Sequence, residues 1–168
     1  MEKKVIFASM EKMLKKLSLD TAESKHMLAL FRRSASSGID EPECLGWMFS
    51  NIEPELQGSY GYLSKEEKAI FLGLCTYAVS RGKSVSDVSM VTAMKRAGIG
   101  REKLERVELA LTFDGIKMPL FLLTKYIVSK GQNFNYASLA LALYEIQFDW
   151  MKVVRKWERE YAKQEDIQ

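Results

Sequence analysis

Histidine, cysteine and proline are almost absent from this 168-residue chain: one His, two Cys and three Pro. A lone imidazole, His26, without clustered thiols leaves no His-rich or thiolate metal site to assemble within one chain, so no metal and no cofactor is expected. Cys44 and Cys75 stand 31 residues apart, outside any zinc or disulfide spacing, each in an apolar run where a small buried thiol is ordinary. Few prolines and few turn dipeptides argue against an all-β fold. Gly and Pro together number 13, which excludes disordered and collagen-like chains. No apolar run approaches the roughly 18 residues that span a bilayer; Met118–Leu123 and Leu139–Tyr144 are among the longest. The basic start, with Lys3 and Lys4 and then Lys12, Lys15 and Lys16, reads as an amphipathic helix and not as a signal segment. No membrane partner is expected, and the cytoplasm is the expected compartment.

What is present is a full apolar complement, 47% of residues, with 28% charged. Those proportions and the length predict one globular domain over 1–168. Apolar positions recur at helical spacing through Ile6, Met10, Met13, Leu14 and Leu17. Asp20 with Glu23 predicts a capping box for a second helix, closed by Arg32-Arg33. Pro42 opens a third, with Leu45, Met48 and Phe49 on one side. Residues 53–63 form a loop. Ser64 with Glu67 caps a strongly apolar helix ending at Gly82, and Ser86 or Asp87 caps the next, ending at Gly98. Arg101–Leu111 follows. Pro119 opens a helix stopping at Gly131, Asn135 caps Tyr136–Ile146, and a last helix covers about Asp149–Lys163. The expected fold is all-α, a compact bundle of about eight or nine helices with short connections.

Catalytic motifs fail on spacing. Gly82-Lys83-Ser84 resembles the end of a phosphate-binding loop, but Tyr77 stands where the first glycine is needed. Gly98-Ile99-Gly100 lacks the strand and third glycine of a dinucleotide fingerprint. Neither cysteine has a local activator. The chain is expected not to be an enzyme.

Charge is uneven. Between Ser34 and Ser64 there is no Lys or Arg, while Asp40, Glu41, Glu43, Glu53 and Glu55 contribute −5; the rest of the chain carries +8. The last helix is the most informative segment. At about 100° per residue, Lys152, Arg155, Lys156, Arg159 and Lys163 fall in an arc of roughly 100°, with Trp150, Val153, Val154, Trp157 and Tyr161 opposite. Such a row advances about 5–6 Å per step and suits a phosphate backbone. The plain alternative is a solvated face with Arg155–Glu158 and Lys156–Glu160 as surface pairs, worth a few tenths of a kcal/mol each. Arg32-Arg33 and Lys95-Arg96 are equally well explained as cations at helix C-termini.

Leu30-Phe31-Arg32-Arg33-Ser34-Ala35, then Ser89 through Gly98 (Ser-Met-Val-Thr-Ala-Met-Lys-Arg-Ala-Gly), then Asn135-Tyr136-Ala137-Ser138-Leu139, Trp150 and Val154-Arg155-Lys156-Trp157-Glu158-Arg159-Glu160-Tyr161, together resemble the small subunit (CasB family) of the type I-E CRISPR Cascade complex. Arg106, within Glu102–Val107, stands in that family's arginine place. One departure is that Val91 and Thr92 occupy positions where the family often has Gly and Arg, so a charged phosphate contact is lost there or passes to Lys95 or Arg96. The resemblance implies a non-catalytic subunit of antiviral defence. It would pair with a second copy beside the backbone and large subunits of Cascade and contact guide RNA and the target and displaced DNA strands to stabilise the R-loop. The implied contact residues are Arg32, Arg33, Lys95, Arg96, Arg101, Arg106, Lys125, Lys152, Arg155, Lys156 and Arg159. Two other readings compete. One is a helix-turn-helix DNA-binding regulator over Ser86–Leu111, with Arg101, Lys103 and Arg106 in the major groove. The other is a helical adaptor whose acidic segment Asp40–Glu55 docks a basic protein.

Overall fold

A computed structural model describes residues 2–80 and 86–163. Among these residues there are nine α-helices, one short 3-10 turn and no strand, as the sequence leads one to expect: α1 (Glu2–Leu17), α2 (Ala22–Ser37), α3 (Pro42–Asn51), α4 (Lys65–Val79), α5 (Met90–Arg96), α6 (Arg101–Glu108), α7 (Lys117–Ser129), α8 (Tyr136–Ile146) and α9 (Trp150–Ala162). The 3-10 turn, Pro54–Leu56, lies between α3 and α4.

Helix α4 is the axis of the bundle. It is buried on every side from Ala69 to Ala78 and packs against α1, α2, α7 and α8. A helix apolar all round has no solvent face to offer, so its neighbours must enclose it. Gly73 is where they come closest: a Cβ there would stand 2.8 Å from Met10 Cε and 3.5 Å from Ala140 Cβ. Its capping box forms as the sequence implies, with Ser64 Oγ accepting from Glu67 N and Glu67 Oε1 accepting from Ser64 N. The amphipathic helices then bury their expected stripes, Ile6, Met10, Met13 and Leu17 on α1 and Met27, Leu30 and Phe31 on α2.

Several local expectations are corrected. The cap of α2 is Thr21, whose hydroxyl accepts from Ser24 N at 3.1 Å; Asp20 instead pairs with Lys25 at 2.9 Å, which holds its carboxyl below the usual range. The helix continues past Arg32-Arg33 to Ser37 and ends at Gly38, in the left-handed region at φ 73°, so these arginines are not in its last turn. The buried side of α3 is Cys44 and Met48, while Phe49 is exposed. Helix α5 starts later than expected, capped by Ser89 accepting from Thr92 N, and α6 stops at Glu108. Helix α7 begins at Lys117, one turn's start ahead of Pro119, and ends at Ser129. Helix α4 ends at Val79, and both Gly82 and the Gly82-Lys83-Ser84 tripeptide lie outside the described residues.

Candidate nucleic-acid interface

Helix α9 is held by its apolar side. Asp149 caps it, accepting from Lys152 N at 3.1 Å, and Val153 and Trp157 are buried against the core. Trp150 Nε1 donates to the Glu108 carbonyl at 2.8 Å, and the Tyr161 hydroxyl donates to the Ile99 carbonyl at 3.2 Å. Three aromatic side chains therefore fix the helix at its start, middle and end. Its outward side carries Lys152, Arg155, Lys156 and Arg159, all exposed. With Lys163, Glu145 and Glu160 they line a shallow groove of about 450 Å³.

None of these four cations makes an ion pair among the described residues. The two glutamates that helical spacing would pair with them are engaged elsewhere. Glu158 Oε1 accepts from Arg101 Nε of α6 at 2.6 Å, and Glu160 Oε2 accepts from the Ser89 hydroxyl, the α5 cap, at 2.7 Å. The plain reading of the stripe as i,i+4 surface pairs is thus not what the side chains do. Glu145, the remaining acid in the groove, is met by Lys3 at 3.6 Å.

The other sequence candidates divide into four groups. Lys95 is brought to the C-terminal end of α9: its Nζ donates to the Lys163 carbonyl and lies 5.9 Å from the Tyr161 ring centre. Arg96, exposed, follows it at the end of α5. Arg101 is neutralised by Glu158 and by Glu105, the latter at 3.0 Å, and both charges hold its guanidinium above its usual value. Arg106 belongs to a second cluster between α6 and α7, a groove of about 240 Å³ that it shares with Lys103, Leu122 and Tyr126. Lys125 stands exposed on the same α7. Arg32, half-buried, and Arg33, exposed, sit on α2, which packs on α1, α3 and α4, whereas α9 packs on α5 and α8. They are not brought to the α9 row.

Two basic residues outside the implied contact set join these clusters. Lys163 completes the α9 row, and its helical position already announces it. Lys103 lies with Nζ 4.8 Å from the Tyr126 ring centre, a cross-helix cation–π contact that spacing along one helix cannot reveal. That contact and the Arg101 ion pairs engage two of the three cations a helix-turn-helix reading would send into the major groove.

Beneath the Arg101–Glu158 pair lies a buried carboxyl pair. Glu108 is 4% exposed, and Glu108 Oε2 and Glu158 Oε2 are buried with no N–H or hydroxyl donor to either, so only a proton shared between the two carboxyls can bond them. Burial first, then the hydrogen bond and charge of Glu158, push the Glu108 carboxyl up to about 8. A carboxyl raised this far favours its protonated form at neutral pH.

No thiol in the structure is poised for nucleophilic attack. Cys44 and Cys75 are both buried, and burial pushes the Cys44 thiol up to about 12 and Cys75 in the same direction. His26 is an exposed helix residue whose Nε2 meets Glu43 Oε2 at 2.6 Å. No helix among the described residues is long and apolar enough to cross a membrane.

Fold and surface together define a small all-helical protein with a rigid basic ridge on its last helix. Its fold is that of CasB: the crystal structure of CasB from Thermobifida fusca superposes with a TM-score of 0.71, covering 96% of this chain and 97% of that one at 16% identity. No family model matches the sequence, and no curated protein matches it.

Proposed function

We propose that this chain is the non-catalytic small subunit of a type I-E CRISPR Cascade complex and holds nucleic-acid backbones along the α9 ridge. The observation that carries the reading is the row Lys152, Arg155, Lys156 and Arg159, unneutralised on a helix anchored by Trp157, in a protein with the CasB fold. A helix seated by aromatic side chains spaces the bases of its cations at fixed intervals, so little backbone ordering remains to be done on binding. Backbone contact of this kind carries no sequence preference, and in a guide-RNA complex base pairing reads the sequence.

In this reading the chain is one domain acting in the cytoplasm, beside a second copy and the backbone and large subunits. Guide RNA, target strand and displaced strand are its nucleic-acid partners, and stabilising the R-loop is its contribution to antiviral defence. Lys95 and Arg96 extend the ridge at the end of α5. Arg106 and Lys125 form a second contact with Lys103, and Arg32 and Arg33 a separate third. Arg101 acts by positioning Glu158 and makes no phosphate contact.

The test is binding of the purified protein to single-stranded DNA and RNA over a salt series, beside a variant with Lys152, Arg155, Lys156 and Arg159 all changed to Ala. The log–log salt slope should fall by up to about 3, from roughly 0.7 per phosphate contact on a single strand. Equal slopes for the two proteins, or no binding by either at low salt, would remove the ridge from nucleic-acid contact.

A further inference from the structure

The groove between α6 and α7 is lined by apolar side chains and cations, with no acid. Met118, Leu122 and Tyr126 recur every four residues along α7, each about half exposed, while Leu120, Thr124 and Ile127 on the same helix are buried. The three share the groove with Lys103 and Arg106 of α6. Nearby acids are held elsewhere. Helix α7 has none, and Asp114, ahead of it, meets Lys117. On α6, Glu105 meets Arg101, Glu108 is buried, and the Glu102 carboxylate folds back against Gly100. Arg106 is exposed and makes no ion pair among the described residues.

This combination selects a ligand. An apolar line rimmed by charge of one sign suits a body that is apolar on its face and negative at its edge. The volume, about 240 Å³, lies below the roughly 300–1,000 Å³ of drug-sized pockets. It has room for one or two flat rings, and not for the row of branched side chains along a docked helix. Lys103 and Arg106 follow one another by about 4.5 Å of helix rise, and Lys103 Nζ lies 4.8 Å from the Tyr126 ring centre. An ammonium has three donors, so Lys103 can meet a phosphate beside that ring. Cations along the backbone with aromatic and apolar side chains under the bases are what a single strand requires. In a duplex the faces of the bases are stacked away, and the apolar line would stay in water.

We infer that the α6–α7 groove binds unpaired bases of a single strand, the bases lying on Met118, Leu122 and Tyr126 and the flanking phosphates meeting Lys103 and Arg106. This rests on the proposed function, in which the cluster touches nucleic acid. It adds that the contact is to bases and is therefore confined to unpaired strands, whereas the α9 ridge meets backbone alone. The test is binding of the purified chain, at low salt, to two single strands of equal length and charge. One is oligothymidine, and the other carries abasic tetrahydrofuran residues throughout.

The unaltered chain should bind oligothymidine about fivefold or more tighter than the abasic strand, the effect of one stacked base. Leu122→Ala with Tyr126→Ala should abolish that preference, with the melting temperature and the affinity for the abasic strand nearly unchanged. Arg106→Ala should weaken both strands alike and lower the salt slope by about 0.7. Equal binding of the two strands by the unaltered chain would overturn the inference and leave the groove to an acidic segment of another protein. A preference that the double variant keeps would overturn it too. Either result leaves the subunit reading standing. No binding of either strand would overturn both together.

Discussion

Arg101 Nε on α6 donates to Glu158 Oε1 on α9 at 2.6 Å, and this bond holds an acid off the α9 ridge. Glu158 lies three residues after Arg155, within reach of it along the helix. Drawn to the other side by Arg101, it leaves Arg155 unneutralised. The acid nearest the ridge on its opposite flank, Glu160, is drawn away by Ser89 in the same manner.

Arg101→Ala separates positioning from contact. Its loss frees Glu158 to pair with Arg155 three residues back, so single-strand affinity at low salt should fall about twofold, and adding Glu158→Gln should restore it. Arg155→Ala should lower the salt slope by about 0.7. Parallel salt titrations of these variants check this, and a loss for Arg101→Ala that persists beside Glu158→Gln would make Arg101 a contact residue.

Ser89→Ala should act at both ends of its hydrogen bonds. It removes the α5 cap, worth about 1 kcal/mol, and frees Glu160 to pair with Lys156 one turn back. An i,i+4 pair is worth about 0.3–0.5 kcal/mol, so strand affinity at low salt should fall about twofold. Thermal unfolding and a low-salt binding titration read the two effects separately.

The carboxyl pair predicts a pH dependence of stability with a definite sign. Glu108 titrates at about 8 in the fold against an ordinary 4.5, so between these values the folded state keeps a proton that the unfolded state has released. Its contribution is fully present below about 4.5 and is lost as pH rises toward 8. Glu108→Gln, neutral throughout, should remove that loss. A gain of about 1–2 kcal/mol at pH 8, after allowance for solvent screening, corresponds to roughly 2–8 °C in melting temperature, with little change at pH 5. Melts of both proteins at the two pH values check it, and equal gains at both would show that the pair does not titrate.

Gly58→Ala, in the loop before α4, puts a Cβ 2.6 Å from the Tyr62 carbonyl and 2.7 Å from Ser64 N. It should cost about 2–3 kcal/mol in chemical denaturation, within the range of substitutions that break a packed backbone contact. Gly61→Ala, three residues on with open space around its Cβ position, should cost under about 0.5 kcal/mol. Similar losses for the two would mean that the loop is not tied at its base.

Helix existence was legible in the sequence because it depends on local spacing. The stripe of α9, the capping boxed start of α4 and the Asn135 cap of α8 each involve residues within one or two turns of one another, and each is found as read. Where two neighbouring residues could both serve as a cap, the local pattern was ambiguous. Thr21 took the place of Asp20, whose carboxyl is engaged by Lys25, and Ser89 that of Ser86 or Asp87, its hydroxyl also donating to Glu160, 71 residues away.

The sequence by itself determined the all-helical class, the buried side of most helices and a basic row on the last, since periodicity and charge are properties of the chain. Tertiary structure alone decided which of those charges stay uncompensated. Glu158 and Glu160 face Arg101 and Ser89 across helix boundaries, 57 and 71 residues away in the chain, and the packing of α9 on α5 and α8 is what brings them there. Charge on a helix face is written locally; its neutralisation depends on which neighbour the core holds beside it.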